Sequence, residues 1–159
     1  MDFNAEVQND YIDFGGTESP YFLIGLLSEF NNRYQAKADT FFEEISWKQF
    51  FTIICIDLFK EAPTLKELSE VMGSSHQNVK QILIKLEGKG FVELKLDEKD
   101  KRKQRIYITE KTKAFCTAHD EGSAEIMNQI FSDIAPEDVE ITIRTIIQMD
   151  NNLKGVKMK

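Results

Sequence analysis

The sequence predicts a mainly α-helical protein with one small β-hairpin. Apolar residues recur at helical spacing through most of the chain, and only between residues 92 and 108 do they alternate with polar residues at a period of two. Clusters of glycine, serine and proline, such as "GGTESP", separate these segments. With 159 residues, 42% of them hydrophobic and 30% charged, the chain has the size and composition of one soluble globular domain.

The first two helices are predicted from serine and proline signals. Pro20 fits the first position of a helix over residues 20–38, with Ser19 as its N-cap. Ser46 is the expected N-cap of the next helix, which spans residues 47–60. Because this second segment is apolar nearly all round, we expect it to be the central helix and to be buried on every side.

Two shorter helices joined by a tight turn follow. The first opens with a T-x-x-E capping box at Thr64, and Gly73 supplies the turn. Ser74 and Ser75 are both candidate caps for the second helix, and Ser74 also begins an S-x-x-Q capping box. Glycines in "LEGKGF" mark the end of the second helix. The expected inward face of the first short helix consists of Leu65, Leu68, Val71 and Met72.

A β-hairpin and two long helices complete the chain. Strands are predicted around residues 92–96 and 106–108, and the charged segment "DEKDKRKQR" joins them. Thr109 is the expected N-cap of a helix over residues 110–134, and a last helix over 136–153 begins with a proline. The order of two short helices followed by a hairpin predicts a winged helix-turn-helix. The expected inward residues of the first strand are Val92, Leu94 and Leu96.

Charge is distributed unevenly along the chain. The net charge of −7 argues against unspecific binding of nucleic acid by the whole surface. The segment 80–105 nevertheless contains nine Lys or Arg against five Asp or Glu, so it carries +4 and the rest of the chain carries −11. A basic patch on an acidic body indicates a specific contact surface.

The second short helix has an apolar face and a polar face. Glutamine and asparagine can pair with adenine in the major groove, lysine can contact guanine or phosphate, and exposed N–H groups at a helix start can hold a phosphate. We therefore predict that this helix and the charged hairpin contact double-stranded DNA, although a solvated polar face would look the same on the helix alone. The predicted DNA-contacting residues are Ser74, Ser75, His76, Gln77, Asn78, Lys80, Gln81, Lys85, Lys101, Arg102 and Lys103.

The segments "DKRKQRIYIT" and "LEGKGFV" resemble two motifs of the MarR family of bacterial and archaeal transcription regulators. "DKRKQRIYIT" matches the family's wing pattern of D-x-R followed by a hydrophobic residue and Leu-Thr, with Ile108 in place of Leu. "LEGKGFV" matches L-E-x-x-G-hydrophobic-V. The resemblance implies one domain over 1–159, a DNA-binding lobe at 46–109, and a homodimer formed by dimerisation helices at 20–45 and 110–153.

The resemblance also assigns roles within the wing. It implies that Arg102 enters the minor groove, where a narrow groove has an enhanced negative potential, and that Asp100 orients this arginine. Ile84 stands where the family commonly has aspartate, so any ion pair from that position is missing and we expect the wing to be held differently.

The resemblance implies a small-molecule effector as well, because family members commonly bind one between the dimerisation helices and the DNA-binding lobe. Together these features predict a ligand-responsive repressor that binds a pseudopalindromic operator as a homodimer. The competing prediction is a winged-helix module for protein–protein assembly that does not bind DNA. Candidate residues for an effector pocket, or equally for the core or the dimer interface, are Tyr11, Phe14, Tyr21, Phe22, Phe41 and Phe42.

No catalytic, cofactor or metal site is predicted. The chain has no glycine-rich phosphate loop, and Cys116 and His119 supply too few ligands for a metal. Cys55 lies in the apolar "FFTIICIDLF" and is expected to be a small buried hydrophobe; no cysteine precedes it, so an N-terminal peroxide sensor is not expected. The N-terminus does not have the pattern of a signal peptide and no segment has the length of a membrane span, so a cytoplasmic location is expected.

Overall fold

The computed structural model describes residues 13–98 and 100–156, so Tyr11, a pocket candidate, lies outside the described residues. Within them the chain forms six α-helices and one two-stranded antiparallel hairpin, which confirms the predicted fold class. One compact unit extends through Lys113 and a second begins at Ala114. The elements in chain order are α1 (Ser19–Phe41), α2 (Trp47–Asp57), α3 (Leu65–Val71), α4 (His76–Gly88), β1 (Val92–Leu96), β2 (Gln104–Ile108), α5 (Glu110–Ile130) and α6 (Pro136–Gly155).

The first helix begins earlier and ends later than predicted. Its N-cap is Glu18, whose carbonyl oxygen accepts hydrogen bonds from the backbone N–H groups of Tyr21 and Phe22. The prediction of Ser19 as the cap is therefore wrong, because Ser19 already lies inside the helix. No side chain caps this end, which begins with a proline in its first turn, where a missing N–H costs nothing.

The second helix has the predicted cap but is not buried on every side. The Ser46 hydroxyl accepts from the N–H of Gln49, whose side chain accepts in turn from the Ser46 N–H. Gln49 and Thr52 are buried, whereas Phe51 is 39% exposed and Leu58, beyond the helix end at Asp57, is 73% exposed. The buried polar groups are accommodated because each is satisfied locally, Thr52 by donating to the Lys48 carbonyl at 2.7 Å.

The helix-turn-helix forms as predicted, with one change at its second cap. Thr64 and Glu67 make the expected reciprocal capping box, and Gly73 adopts a positive φ of 58° in the turn. The second helix is capped by Ser75, whose hydroxyl accepts from the Asn78 N–H. The S-x-x-Q box at Ser74 is not formed, because the Ser74 hydroxyl accepts instead from the Asn78 side chain at 2.8 Å.

The core of the first unit lies between α2, α3, α4 and the hairpin. Two residues of this unit that were predicted to face inward are exposed, Val71 to 54% and Leu96 to 58%, and so are Ile143, Ile146, Ile147 and Leu153 of α6, which were also expected to face inward. Leu96 ends β1 beyond the edge of the core, and the chain turns so that Asp97 is buried after it. The apolar side chains that are at most 3% exposed are Ile45, Ile53, Cys55, Pro63, Leu68, Val79, Leu83, Leu86, Phe91, Val92 and Ile106.

The hairpin carries a short third segment along its free edge. β1 and β2 pair in a register that sets Val92 opposite Ile108. On the other side of β2, Thr64 forms an isolated bridge with Arg105, and the Ile106 N–H donates to the Pro63 carbonyl at 2.9 Å. The root of the wing is thereby joined to the residues that start α3.

The last two helices follow the predicted signals. The Thr109 hydroxyl accepts from the Thr112 N–H and donates to the Gly90 carbonyl at 2.7 Å, which ties the start of α5 to the end of α4. α5 ends at Ile130 rather than near residue 134, and Asp133 in the following turn has a left-handed φ of 59°. Neither α1 nor α6 contains a buried residue. None of the described helices is both long and apolar enough to span a membrane.

We expect Ser75→Ala to lower the free energy of unfolding by about 1 kcal/mol, because an N-cap hydroxyl is lost. The matched variant Ser74→Ala should stay within about 0.5 kcal/mol of the wild type, since Ser74 bonds a side chain and no helix N–H. Urea unfolding of both variants measures this. Equal losses would mean that the two serines share the cap.

Candidate functional site

The two faces of α4 differ sharply in exposure. Val79, Leu83 and Leu86 are between 0 and 3% exposed and dock the helix on the core. The predicted contact residues on the opposite face are all exposed, and so is the cap residue Ser75, while Ser74 is half-buried. The exposed residues of that face are His76, Gln77, Asn78, Lys80, Gln81 and Lys85.

This exposed face is divided between two open grooves. His76 and Lys80 line a groove of about 870 Å³ between α4 and the wing, together with Arg102 and Lys103. The groove therefore brings together residues of the two predicted contact elements. Three acidic side chains also line it: Glu67, Glu70 and Glu87.

The second groove, of about 600 Å³, lies on the other edge of α4. It receives Asn78, Gln81 and Lys85 from α4. From the other side it is lined by the end of α1 and the connection to α2, including Asp39 and Phe42. The predicted contact residues thus do not form one continuous ridge, because the helix turns them towards two different neighbours.

At the wing tip, Asp100 gathers two of the predicted basic contact residues, Arg102 and Lys103, around one carboxylate. Its Oδ1 accepts from the Arg102 Nε at 3.1 Å and from the Arg102 backbone N–H at 3.2 Å, and its Oδ2 lies 3.4 Å from the Lys103 Nζ. The hydrogen bonds from Arg102, followed by that from Lys103, hold the pKa of Asp100 below its ordinary range. The Arg102 side chain is 91% exposed, so the guanidinium projects into solvent from a fixed Nε.

At the wing root, a second arginine makes a clamp that joins the hairpin to the start of α3. The Arg105 Nε donates to the Asp97 carboxylate at 2.6 Å, and its Nη1 donates to the Ala62 carbonyl at 2.9 Å and lies 3.4 Å from Glu67. Asp97 is only 9% exposed, and its other oxygen accepts from the Asp100 N–H at 2.8 Å. We call Ala62, Asp97 and Arg105 the wing clamp.

The clamp removes one arginine from the cations that the basic segment presents to solvent. Arg105 belongs to the basic segment 80–105, but its side chain is only 24% exposed and its hydrogen bond to Asp97 raises its pKa. Glu67 has a lowered pKa, first through hydrogen bonds from the Thr64 backbone and hydroxyl and then through the charges of Arg105 and Lys103. The sequence analysis missed Asp97 as a functional residue, since one acidic residue in a charged loop carries no signal of burial.

A third cluster fixes the other end of α4. The Lys89 Nζ donates to the Glu44 carbonyl at 2.6 Å, and the Lys111 Nζ donates to the Lys89 carbonyl at 2.9 Å and pairs with the Glu44 carboxylate. The Lys111 ammonium also lies 4.5 Å from the centroid of the Phe91 ring. Lys89 and Lys111 therefore hold the α4–β1 turn against the α1–α2 connection.

The cysteines and the candidate pocket aromatics differ in burial, and Cys55 and Phe42 belong to the core. Cys55 is buried as predicted, and burial raises the pKa of its thiol, which disfavours the reactive thiolate. Among the described residues no group of three or more His, Cys, Asp or Glu could hold a metal ion. Of the candidate pocket aromatics, Phe42 is 5% exposed and packs 4.3 Å from the Phe50 ring, whereas Tyr21 is 74% exposed.

Comparisons with known proteins agree with this geometry. Residues 45–103 match the model of the MarR family. A MarR/EmrR family transcriptional regulator from Acinetobacter sp. ADP1 has a similar structure, with a TM-score of 0.77 and 15% sequence identity over 87% of this chain and 99% of that one.

Two further similar structures are complexes with DNA. MepR of S. aureus, in a MepR–DNA complex, has a TM-score of 0.69 and 20% identity over 80% of this chain and 95% of its own. FabT of Streptococcus pneumoniae, in complex with DNA, has a TM-score of 0.64 and 21% identity over 88% of this chain and 100% of its own. At these identities the likeness concerns the fold.

We expect Asp97→Ala to lower the free energy of unfolding by about 1–3 kcal/mol, because it leaves the Arg105 Nε and the Asp100 N–H without their acceptor. Glu98→Ala is the matched control, since it removes the same charge from an exposed neighbouring residue and should cost less than about 0.5 kcal/mol. Chemical denaturation of both variants measures the difference. If the two variants were equally stable, the clamp would not hold the wing.

Proposed function

We propose that this chain is a sequence-specific DNA-binding transcription regulator of the MarR family, whose model its residues 45–103 match. The observation that carries the proposal is the groove between α4 and the wing, because it gathers His76, Lys80, Arg102 and Lys103 on one open surface. A recognition helix beside a cationic wing can engage a major groove and the adjacent backbone together. The DNA complexes of MepR and FabT support this use of the fold.

In the proposed complex, α4 enters the major groove. Gln77, Asn78 and Gln81 can each offer a donor and an acceptor to a base edge, and adenine is the base that suits such a pair. Lys80 and Lys85 can contact guanine or phosphate. The backbone N–H groups of the first turn, which include that of His76 and follow Ser74 and the N-cap Ser75, can hold a phosphate.

The wing supplies the second set of contacts. Arg102 is proposed to enter the minor groove, with Asp100 as the residue that orients it by fixing its Nε. Lys101 and Lys103, both exposed at the tip, are proposed to contact phosphates. These contacts position the protein, whereas α4 reads the sequence.

A homodimer is the proposed binding unit. α6 leaves a stripe of apolar side chains in solvent, of which Ile143 is 51%, Ile147 55% and Leu153 58% exposed. α1 does the same with Ile24 and Phe30, which are 55% and 54% exposed. Faces of this kind mark an interface, and a second copy of the chain would cover them. Two symmetric recognition helices then require a pseudopalindromic operator with half-sites about one helical turn apart.

We further propose that the protein represses transcription and that a small molecule releases it from the operator. The groove between α4 and the α1–α2 connection has a volume within the range of ligand pockets, at about 600 Å³. A molecule bound in this groove would contact the side chains of Gln81 and Lys85. It would therefore compete with the contacts that these two side chains are proposed to make with DNA. The effector is therefore proposed to lower the affinity of the protein for the operator by occupying side chains of α4 that contact DNA.

We expect tight binding to a duplex from the chain's own upstream region, with affinity that falls steeply as salt rises because counterions leave the phosphates. Arg102→Ala should weaken binding about tenfold, equivalent to about 1.4 kcal/mol, without changing the melting temperature. Lys113→Ala is the control, since it removes one exposed, ion-paired cation outside the groove. Fluorescence anisotropy across a salt series measures all three proteins. No DNA binding at low salt would favour the protein–protein module instead.

We expect sedimentation at micromolar concentration to show a dimer. Ile147→Glu should raise the dimer dissociation constant at least about tenfold, because it places a carboxylate in the apolar stripe. Gln148→Glu adds the same carboxylate one residue later, on the opposite side of α6, and should leave the dimer unchanged. A monomeric wild type, or equal effects of the two variants, would contradict an interface on this face.

A further inference from the structure

One apolar side chain interrupts the polar face of α4. Ile84 is 51% exposed, while Val79, Leu83 and Leu86 are at most 3% exposed and Ile82 is half-buried. It lies one helical turn after Lys80 and two turns after His76, so the three share one edge of the helix. All three line the groove between α4 and the wing.

Packing within the chain covers only about half of the Ile84 side chain. A single exposed isoleucine is ordinary on a protein surface. Here, however, the isoleucine lies on the groove that the proposed function assigns to DNA, and Leu94 and Ile106 of the wing line the same groove. Because helical side chains lean towards the N-terminus, the Ile84 methyl groups lie over the turn that presents Lys80 and Gln81.

We propose that Ile84 is a specificity-determining residue that contacts the C5-methyl group of a thymine in the major groove. The inference rests on the proposed function and adds a base preference to it. Thymine is the base that presents an apolar group in the major groove. An isoleucine can form no hydrogen bond through its side chain, so it discriminates bases there by methyl contact alone. The thymine lies next to the base pair that Lys80 or Gln81 contacts.

The test removes single methyl groups from the DNA. A duplex that the wild-type protein selects from a random library is the probe, and each thymine is replaced in turn by deoxyuridine, which lacks only the C5-methyl. We expect one position in each half-site to weaken wild-type binding about fourfold, as for one buried methyl-sized group of about 0.8 kcal/mol. The Ile84→Ala protein should bind the thymine and uracil duplexes equally, and Ile84→Val should keep most of the discrimination.

The control variant is Val71→Ala, which shortens a β-branched residue of α3 with similar exposure, 54%. It should discriminate thymine from uracil as the wild type does. If Ile84→Ala lost affinity while keeping the full thymine preference, Ile84 would hold the groove in shape and the inference would be wrong. If replacing thymine by deoxyuridine changed the affinity at no position, the inference would also be wrong, but the proposed DNA-binding function would not be affected. Failure of the wild type to select any duplex would instead overturn the proposed function.

Discussion

The guanidinium of Arg105 is the point through which the wing is attached to the helical body. It bonds Asp97 at 2.6 Å within the hairpin and the Ala62 carbonyl at 2.9 Å before α3, so one planar group spans both elements. The backbone bond from Ile106 to the Pro63 carbonyl lies beside it. An arginine suits this position because its donors are spread over one rigid, permanently charged plane, whereas a lysine presents its donors from a single nitrogen on a flexible stem.

The position of the wing tip relative to α4 follows from this attachment. Asp97 accepts from the Arg105 side chain with one oxygen and from the Asp100 N–H with the other, so the clamp at the root also places the carboxylate at the tip. Asp100 in turn holds the Arg102 Nε. A chain of bonds thus runs from Ala62 to Arg102, and the width of the groove that both contact elements line depends on it. This is how the wing is held although Ile84 offers it no ion pair.

Sequence reasoning succeeded where the physical cause is local. The capping boxes at Ser46 and Thr64 join residues three positions apart, and Gly73 was recognisable because a left-handed turn favours glycine. Sequence reasoning failed where bonded partners are distant in the chain. Arg105 bonds Ala62 across 43 positions, and only the strand register brings these two residues together. Sequence reasoning also assigned a cap to Ser74, since neighbouring serines fit the same pattern and the turn geometry decides between them.

The acidic residues of the groove determine what can lie inside it. Glu70 and Glu87 line the same surface as Lys80 and Arg102, and a phosphate on the groove floor would meet their carboxylates as well as the cations. Phosphates are therefore favoured at the rim, where Lys103 and Arg102 are 58% and 91% exposed. Base edges carry no net charge, and they suit a floor that Leu94 and Ile84 make partly apolar. The acidic remainder of the chain acts in the same direction, because its net charge of −11 disfavours contact with DNA outside the segment where the cations are concentrated.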